Sequence, residues 1–98
     1  MSSPRLIFEF DPRKASANLR KHKVSFREAV TVFHDPLAVT FPDDLHSEDE
    51  DRFITIGLSS RQRLLFISHL EMEDRIRLIG ARRATAAEKN AYEEFQNA

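Results

Sequence analysis

The spacing of hydrophobic positions changes along the chain and divides it into elements. Arg5 to Phe10 alternates, with Leu6, Phe8 and Phe10 on one side and Arg5, Ile7 and Glu9 on the other, the period of a strand. Asp11-Pro12 joins a favoured N-cap to a residue pre-set for the first helical position, so a helix is expected from there to about His22. Along it Lys14, Asn18 and His22, or equally Lys21, share a polar side, while Ala15 and Leu19 turn toward the core. Ser25-Phe26-Arg27-Glu28 fits the reciprocal capping box and opens a second helix. Its Phe26, Ala29, Val30 and Phe33 fall at i, i+3, i+4 and i+7, the stripe of a helix packed on a sheet. Asp35-Pro36 ends it, because a residue before proline is pushed away from helical angles.

Beyond that point the period becomes two. Leu37, Val39 and Phe41 alternate until Pro42 and an acidic stretch interrupt, then Ile54, Ile56 and Leu58 alternate within Arg52 to Leu58. Ser59 to Gln62 is a short polar turn into Arg63 to Leu70, so these two strands are expected to pair as an antiparallel hairpin. Glu71 to Asp74 connects to a further strand, Arg75 to Arg83. By simple alternation Arg82 shares a face with Ile76, Leu78 and Gly80, at the rim of the core, whereas Arg83 follows Arg75, Arg77, Ile79 and Ala81 onto the open face. Thr85-Ala86-Ala87-Glu88 is another capping box, opening a final helix with Ala87, Ala91, Tyr92 and Phe95 on its apolar side. The order β-α-α-β-β-β-β-α describes an α+β fold, an antiparallel sheet packed against helices in two layers. No internal repeat or linker breaks residues 1–98, which read as a single domain.

Composition narrows the class. No apolar run approaches the roughly 20 residues that cross a bilayer, and Met1 to Phe10 lacks the apolar segment of a signal peptide. The absence of cysteine excludes disulfides and thiolate metal sites, as expected of a cytoplasmic chain with no membrane partner. The net charge is only −1, yet six of the 16 acids, Asp43, Asp44, Glu48, Asp49, Glu50 and Asp51, crowd into one stretch. That stretch reads as a solvated loop between strands, since it lacks the spacing and the glycine of a calcium-binding loop. Without it, 15 basic residues face 10 acids, enough positive charge to meet phosphates.

The two glycines form no phosphate-binding loop, and no metal-ligand spacing or nucleophile elbow occurs, so neither a metal nor a cofactor is expected. What remains is Lys21-His22-Lys23 and the strand-end arginines Arg52, Arg61, Arg63, Arg82 and Arg83. Metal-free RNA cleavage needs a group that takes the ribose 2′-OH proton, cations for the phosphorane and a proton donor for the leaving 5′-oxygen. Histidine suits the proton transfers, and arginine presents a planar fork matched to phosphate. The residues also permit a plainer account. A histidine at a helix end can be a C-terminal cap, and strand-end arginines can be solvated or cover apolar surface with their stems. His34 reads as a helix-end residue, His46 lies in the acidic loop, and His69 is a reserve proton carrier if its strand face lines the same groove as the arginines.

Three blocks carry a resemblance. The segment F-E-F-D-P-R-K-A-S-A-N-L-R-K-H-K-V-S-F-R-E-A (8–29) resembles the opening signature of the BrnT toxins, D-R-F-I-T-I-G and R-L-L-F-I resemble their central hairpin, and R-I-R-L-I-G-A-R-R-A-T-A-A-E-K-N-A-Y-E (75–93) is similar to their closing block. Lys23 stands where the family usually has glycine, and Gly80 replaces the usual serine beside the arginine pair. The resemblance implies a RelE-like fold and an endoribonuclease toxin of a type II toxin–antitoxin pair that arrests translation. It also implies a BrnA-like antitoxin with a ribbon-helix-helix domain, RNA as substrate, and operator DNA met only through the antitoxin. Carried over position by position, the catalytic residues are His22, Arg63, Arg82 and Arg83, while Lys21, Arg52 and Tyr92 match positions that bind substrate or hold structure. The competing class is a non-catalytic RNA-binding or operon co-regulator module with the same fold. The enzyme requires His22 and the arginines to converge on one phosphate, whereas the module requires only a basic surface.

Overall fold

The computed structural model describes residues 6–46 and 51–97. Its elements are β1 (Ile7–Glu9), α1 (Pro12–His22), α2 (Phe26–Thr31) continued by a 3-10 turn (Val32–His34), β2 (Val39–Pro42), β3 (Arg52–Leu58), β4 (Leu64–Glu71), β5 (Arg75–Arg83) and α3 (Ala86–Gln96). The expected order holds, with several boundaries moved by a residue or two. Glu48, Asp49 and Glu50 of the expected acidic loop lie outside the described residues.

The strands form one sheet in the order β1-β5-β4-β3-β2. β2 to β5 run antiparallel as successive neighbours, and β1 joins the far edge parallel to β5, so the sheet is mixed. The α1–α2 pair covers one face. Leu65 and Ile67 of β4, Ile76, Leu78 and Ala81 of β5, and Val24, Phe26, Ala29 and Val32 from the helical layer make the core beneath it. The helices approach closely at Gly57, where an added Cβ would come within 2.8 Å of Val32 and 2.9 Å of Ala38. α3 departs from the two-layer expectation. It lies over the opposite face, where Ala87, Ala91 and Phe95 line a groove with Val39, Phe41, Ile56 and Phe66. None of its residues is buried, and Phe95 is 68% exposed.

The ends of the helices follow the sequence closely, with one exception. Asp11 caps α1 by accepting from the Arg13 N–H at 2.8 Å, and Thr85 and Glu88 complete the reciprocal box of α3. At α2 only half the expected box forms. Ser25 accepts from the Glu28 N–H at 3.0 Å, but the Glu28 carboxylate turns away toward the β3–β4 turn, where Arg63 and Ser59 offer charged and hydroxyl donors. An ion pair across the fold outcompetes a local cap.

A β-bulge decides the faces of the last strand. Ser68 pairs with Gly80 but His69 pairs with Leu78, which leaves Ile79 without a partner across the ladder. The extra residue reverses the alternation beyond it. Arg83 therefore falls opposite buried Leu65 on the helix side, and Arg82 falls opposite Phe66 on the α3 side. This corrects the parity expectation, which put the two arginines the other way round.

Candidate active site

The end of α1 is shaped by the backbone of Lys23. This residue adopts the left-handed conformation, φ 60° and ψ 30°, and donates its N–H to the Leu19 carbonyl at 3.0 Å, closing the helix. The chain then turns into α2, and Asn18 fixes the turn from within. Its Nδ2 donates to the carbonyls of Val24 at 2.9 Å and Ala81 at 2.8 Å, and its Oδ1 accepts from the Ala81 N–H at 3.0 Å. Asn18 thus stands in for a neighbouring strand where β1 has ended, and locks α1 to β5.

That lock sets the relation of His22 to Arg83. His22 lies one helical turn beyond Asn18, about 6 Å along the axis. Arg83 lies two residues beyond Ala81 on the same face, about 7 Å along the strand. Both steps lead toward the end of the sheet where Arg63 Nη2 donates to the Lys23 carbonyl at 3.1 Å. His22 is half-buried and Arg83 exposed. Among the described residues neither side chain has a hydrogen bond or ion pair that would occupy it.

The other two arginines of the expected catalytic set are committed. Arg63 grips the buried Glu28 carboxylate with Nε at 2.9 Å and with Nη2, while Ser59 Oγ donates to the same carboxylate at 2.7 Å and Arg61 stands 3.6 Å away. The Arg63 hydrogen bond is the main reason that the Glu28 carboxyl is held below the usual range, against the opposing effect of burial. Only 18% of the Arg63 side chain and 4% of that of Glu28 is exposed, so this pair joins α2 to β4 from inside. Arg82 makes a two-pronged contact with Glu88, 2.8 and 2.9 Å, with its guanidinium 3.9 Å over the Phe66 ring. It ties β5 to α3.

The residues expected to bind substrate separate too. Lys21 is exposed on the last turn of α1 beside His22. Arg52 begins β3 opposite Leu70, at the far end of the sheet, about 20 Å along the strand from the turn before Arg63. The Tyr92 hydroxyl donates to Asp35 at 2.8 Å, and burial with that bond pushes it up to about 12. His69 does not reach a groove, which corrects its reading as a reserve proton carrier. It is fully buried, in T-shaped contact with Phe33 and stacked against Phe53, with Nε2 2.7 Å from Thr55 Oγ1. Burial pushes it down to about 4.

With this geometry in view, the comparisons with known proteins are direct. The family model described as ribonuclease toxin, BrnT, of type II toxin–antitoxin system matches residues 10–88. The chain belongs to the BrnT family. The crystal structure of the Brucella abortus ribonuclease toxin BrnT aligns with a TM-score of 0.64 over 83% of this chain and 99% of that one, at 19% identity, and so shares the fold. A search of curated protein sequences finds no significant match.

Family membership makes this chain one of the ribonuclease toxins and brings an antitoxin partner with it. Within that setting the two departures from the BrnT pattern become intelligible. Lys23 keeps the left-handed turn that glycine adopts without strain. At Gly80 an added Cβ would meet nothing closer than Asn18 Oδ1 at 3.8 Å, so serine fits there as well. Sequence reasoning passed over Arg20 and Arg27, which cluster with Lys23 around the end of α1 and the start of α2. A visible signal existed: from Pro12 to Arg27 there are six lysines and arginines and no acid.

Proposed function

We propose that this BrnT-family chain is a metal-independent endoribonuclease that cleaves RNA by attack of the ribose 2′-OH on the adjacent phosphorus, with His22 as the proton-transfer group and Arg83 as the free phosphate-facing fork. His22 takes the proton as the 2′-oxygen forms its bond to phosphorus. The bond to the 5′-oxygen breaks, and that oxygen receives a proton from the resulting imidazolium. The products are a 2′,3′-cyclic phosphate and a free 5′-hydroxyl. Arg83 and Lys21 meet the charge that grows on the phosphoryl oxygens. Arg63 and Arg82 act one step back: Arg63 holds the turn that carries His22, and Arg82 holds the end of the strand that carries Arg83. Tyr92 secures α3, and Arg52 lies outside the reach of the same phosphate.

The observation that supports this reading is the arrival of an unencumbered histidine and an unencumbered arginine at one end of the sheet, beside a helix α1 that carries no acid. The same reading assigns translation arrest to loss of RNA, a cytoplasmic site of action, and neutralisation by a ribbon-helix-helix antitoxin that covers the basic end and represses the operon as a complex. Purified protein should cleave single-stranded RNA in excess EDTA, and His22→Ala should slow cleavage by about 10²–10⁴-fold without unfolding the chain. Activity that disappears on chelation and returns with Mg²⁺ would overturn the metal-free step. A chain that binds RNA without cutting it would be the non-catalytic module instead.

A further inference from the structure

One of the exposed aromatic rings stands beside a cation. Phe10, at the junction of β1 and α1, is 41% exposed, and its ring meets Phe26 edge-on with centroids 5.4 Å apart. Leu19, on the outer flank of α1, is 49% exposed. Between them lies a recess of about 210 Å³ with Phe26 at its back and Arg27 on its rim. Ser16 and Leu19 also line a second, wider recess bounded by Arg20 and Lys23. Together the two recesses form a groove that follows α1 from the exposed Phe10 ring to the turn beside His22.

Its charge selects the occupant. Arg20, Lys23 and Arg27 flank the apolar floor, and among the described residues no acid lines either part. An aromatic face set among cations is the pattern of single-stranded nucleic acid binding, in which a base stacks and the phosphates follow the positive rim. The groove of about 630 Å³ beneath α3 has the opposite character, for among the described residues its lining includes Glu88 and no lysine or arginine.

The geometry points to a nucleobase-stacking subsite on Phe10, which takes a base of the single-stranded RNA a few nucleotides from the scissile phosphate, since α1 (Pro12–His22) separates the two by about 16 Å, while Arg20, Lys23 and Arg27 hold the connecting phosphates. This rests on the ribonuclease reading above and adds the direction in which the strand leaves His22: along the outer flank of α1. The ring has no hydrogen-bonding group, so the subsite accepts any base and contributes affinity rather than sequence choice.

The test uses the full chain and a 2′-O-methyl RNA 12-mer of mixed sequence, which lacks the attacking hydroxyl, together with a cleavable RNA of the same sequence. Phe10→Ala should weaken 12-mer binding by about 5- to 150-fold, the range for loss of one stacked base. Phe10→Trp should keep binding, and because the chain has no tryptophan its fluorescence reports on that position alone and should be quenched by the 12-mer. The tryptophan variant decides the matter if the alanine variant fails to fold. Phe10→Ala with the parent's thermal midpoint and unchanged 12-mer affinity, or a tryptophan signal indifferent to RNA, overturns the subsite while leaving the nuclease intact. A parent protein that neither binds nor cuts RNA overturns both. Unchanged RNA affinity in Phe10→Ala, with loss of the complex formed on coexpression with the neighbouring reading frame, reassigns the groove to the antitoxin.

Discussion

Replacing Arg63 by alanine should cost the protein its fold before it costs it chemistry. The substitution leaves Glu28, with 4% of its side chain exposed, facing the interior without its principal partner. Removing one member of a buried ion pair destabilises by about 3–5 kcal/mol, because the remaining charge is neither solvated nor neutralised. For a domain of this size each kcal/mol moves the thermal midpoint by about 4–8 °C, so Arg63→Ala should lower it by about 12–40 °C. The pH dependence carries a second signature. In the parent the lowered Glu28 carboxyl contributes stability that is present above the ordinary carboxylate range and is lost as pH falls through its folded value. Arg63→Ala should shed that acid sensitivity, since protonation then relieves the stranded charge. Thermal unfolding followed by circular dichroism, with RNA cleavage normalised to the folded fraction, separates the two effects. The double variant Arg63→Met with Glu28→Leu should recover most of the lost midpoint, because a packed apolar pair avoids the cost of burying ions. An Arg63→Ala protein that melts within about 2 °C of the parent, against the several degrees expected for each kcal/mol, while losing cleavage, would refute the reasoning and return Arg63 to the phosphate.

Arg83→Ala should reduce cleavage with little change in midpoint, whereas Arg82→Ala should reduce both, through loss of the Glu88 and Phe66 contacts; equal midpoints in the two variants would place both forks on the same phosphate. His69 is pushed down to about 4, so the folded state resists the proton that the unfolded chain accepts below about 6.5, and about 3 kcal/mol of stability should drain away as pH falls from 6.5 to 4. His69→Leu should flatten that window in pH-dependent melts, and a parent curve already flat there would contradict the buried neutral imidazole. Lys23→Gly should raise the midpoint by a few degrees by relieving the left-handed φ of 60°, and a lower midpoint would mean that the lysine stem contributes more packing than its backbone costs.

Local chemistry is what the sequence determined by itself. Asp11-Pro12, Thr85 with Glu88, and the change of hydrophobic period at Asp35-Pro36 act over four residues or fewer, and α1, α3 and the run of strands appear where those signals put them. The family signature was legible for the same reason, since it is a string of such local features with His22 and the arginine pair embedded in it. What only the tertiary structure decided are the competitions between near and distant partners. Glu28 leaves its own helix cap for Arg63, 35 residues away, because a buried charge gains more from a guanidinium than from a backbone N–H. His69 looked like a groove residue by alternation alone, but whether its face meets solvent or the Phe33 and Phe53 rings depends on which side the helices cover. The unpaired Ile79 inverted the two arginines, since a single extra residue in a ladder reverses every side chain after it and leaves no mark in the composition. The nearness of His22 to Arg83 belongs to this second kind as well: it depends on Asn18 bonding across the fold to Ala81, a contact between positions 63 residues apart that no period along the chain encodes.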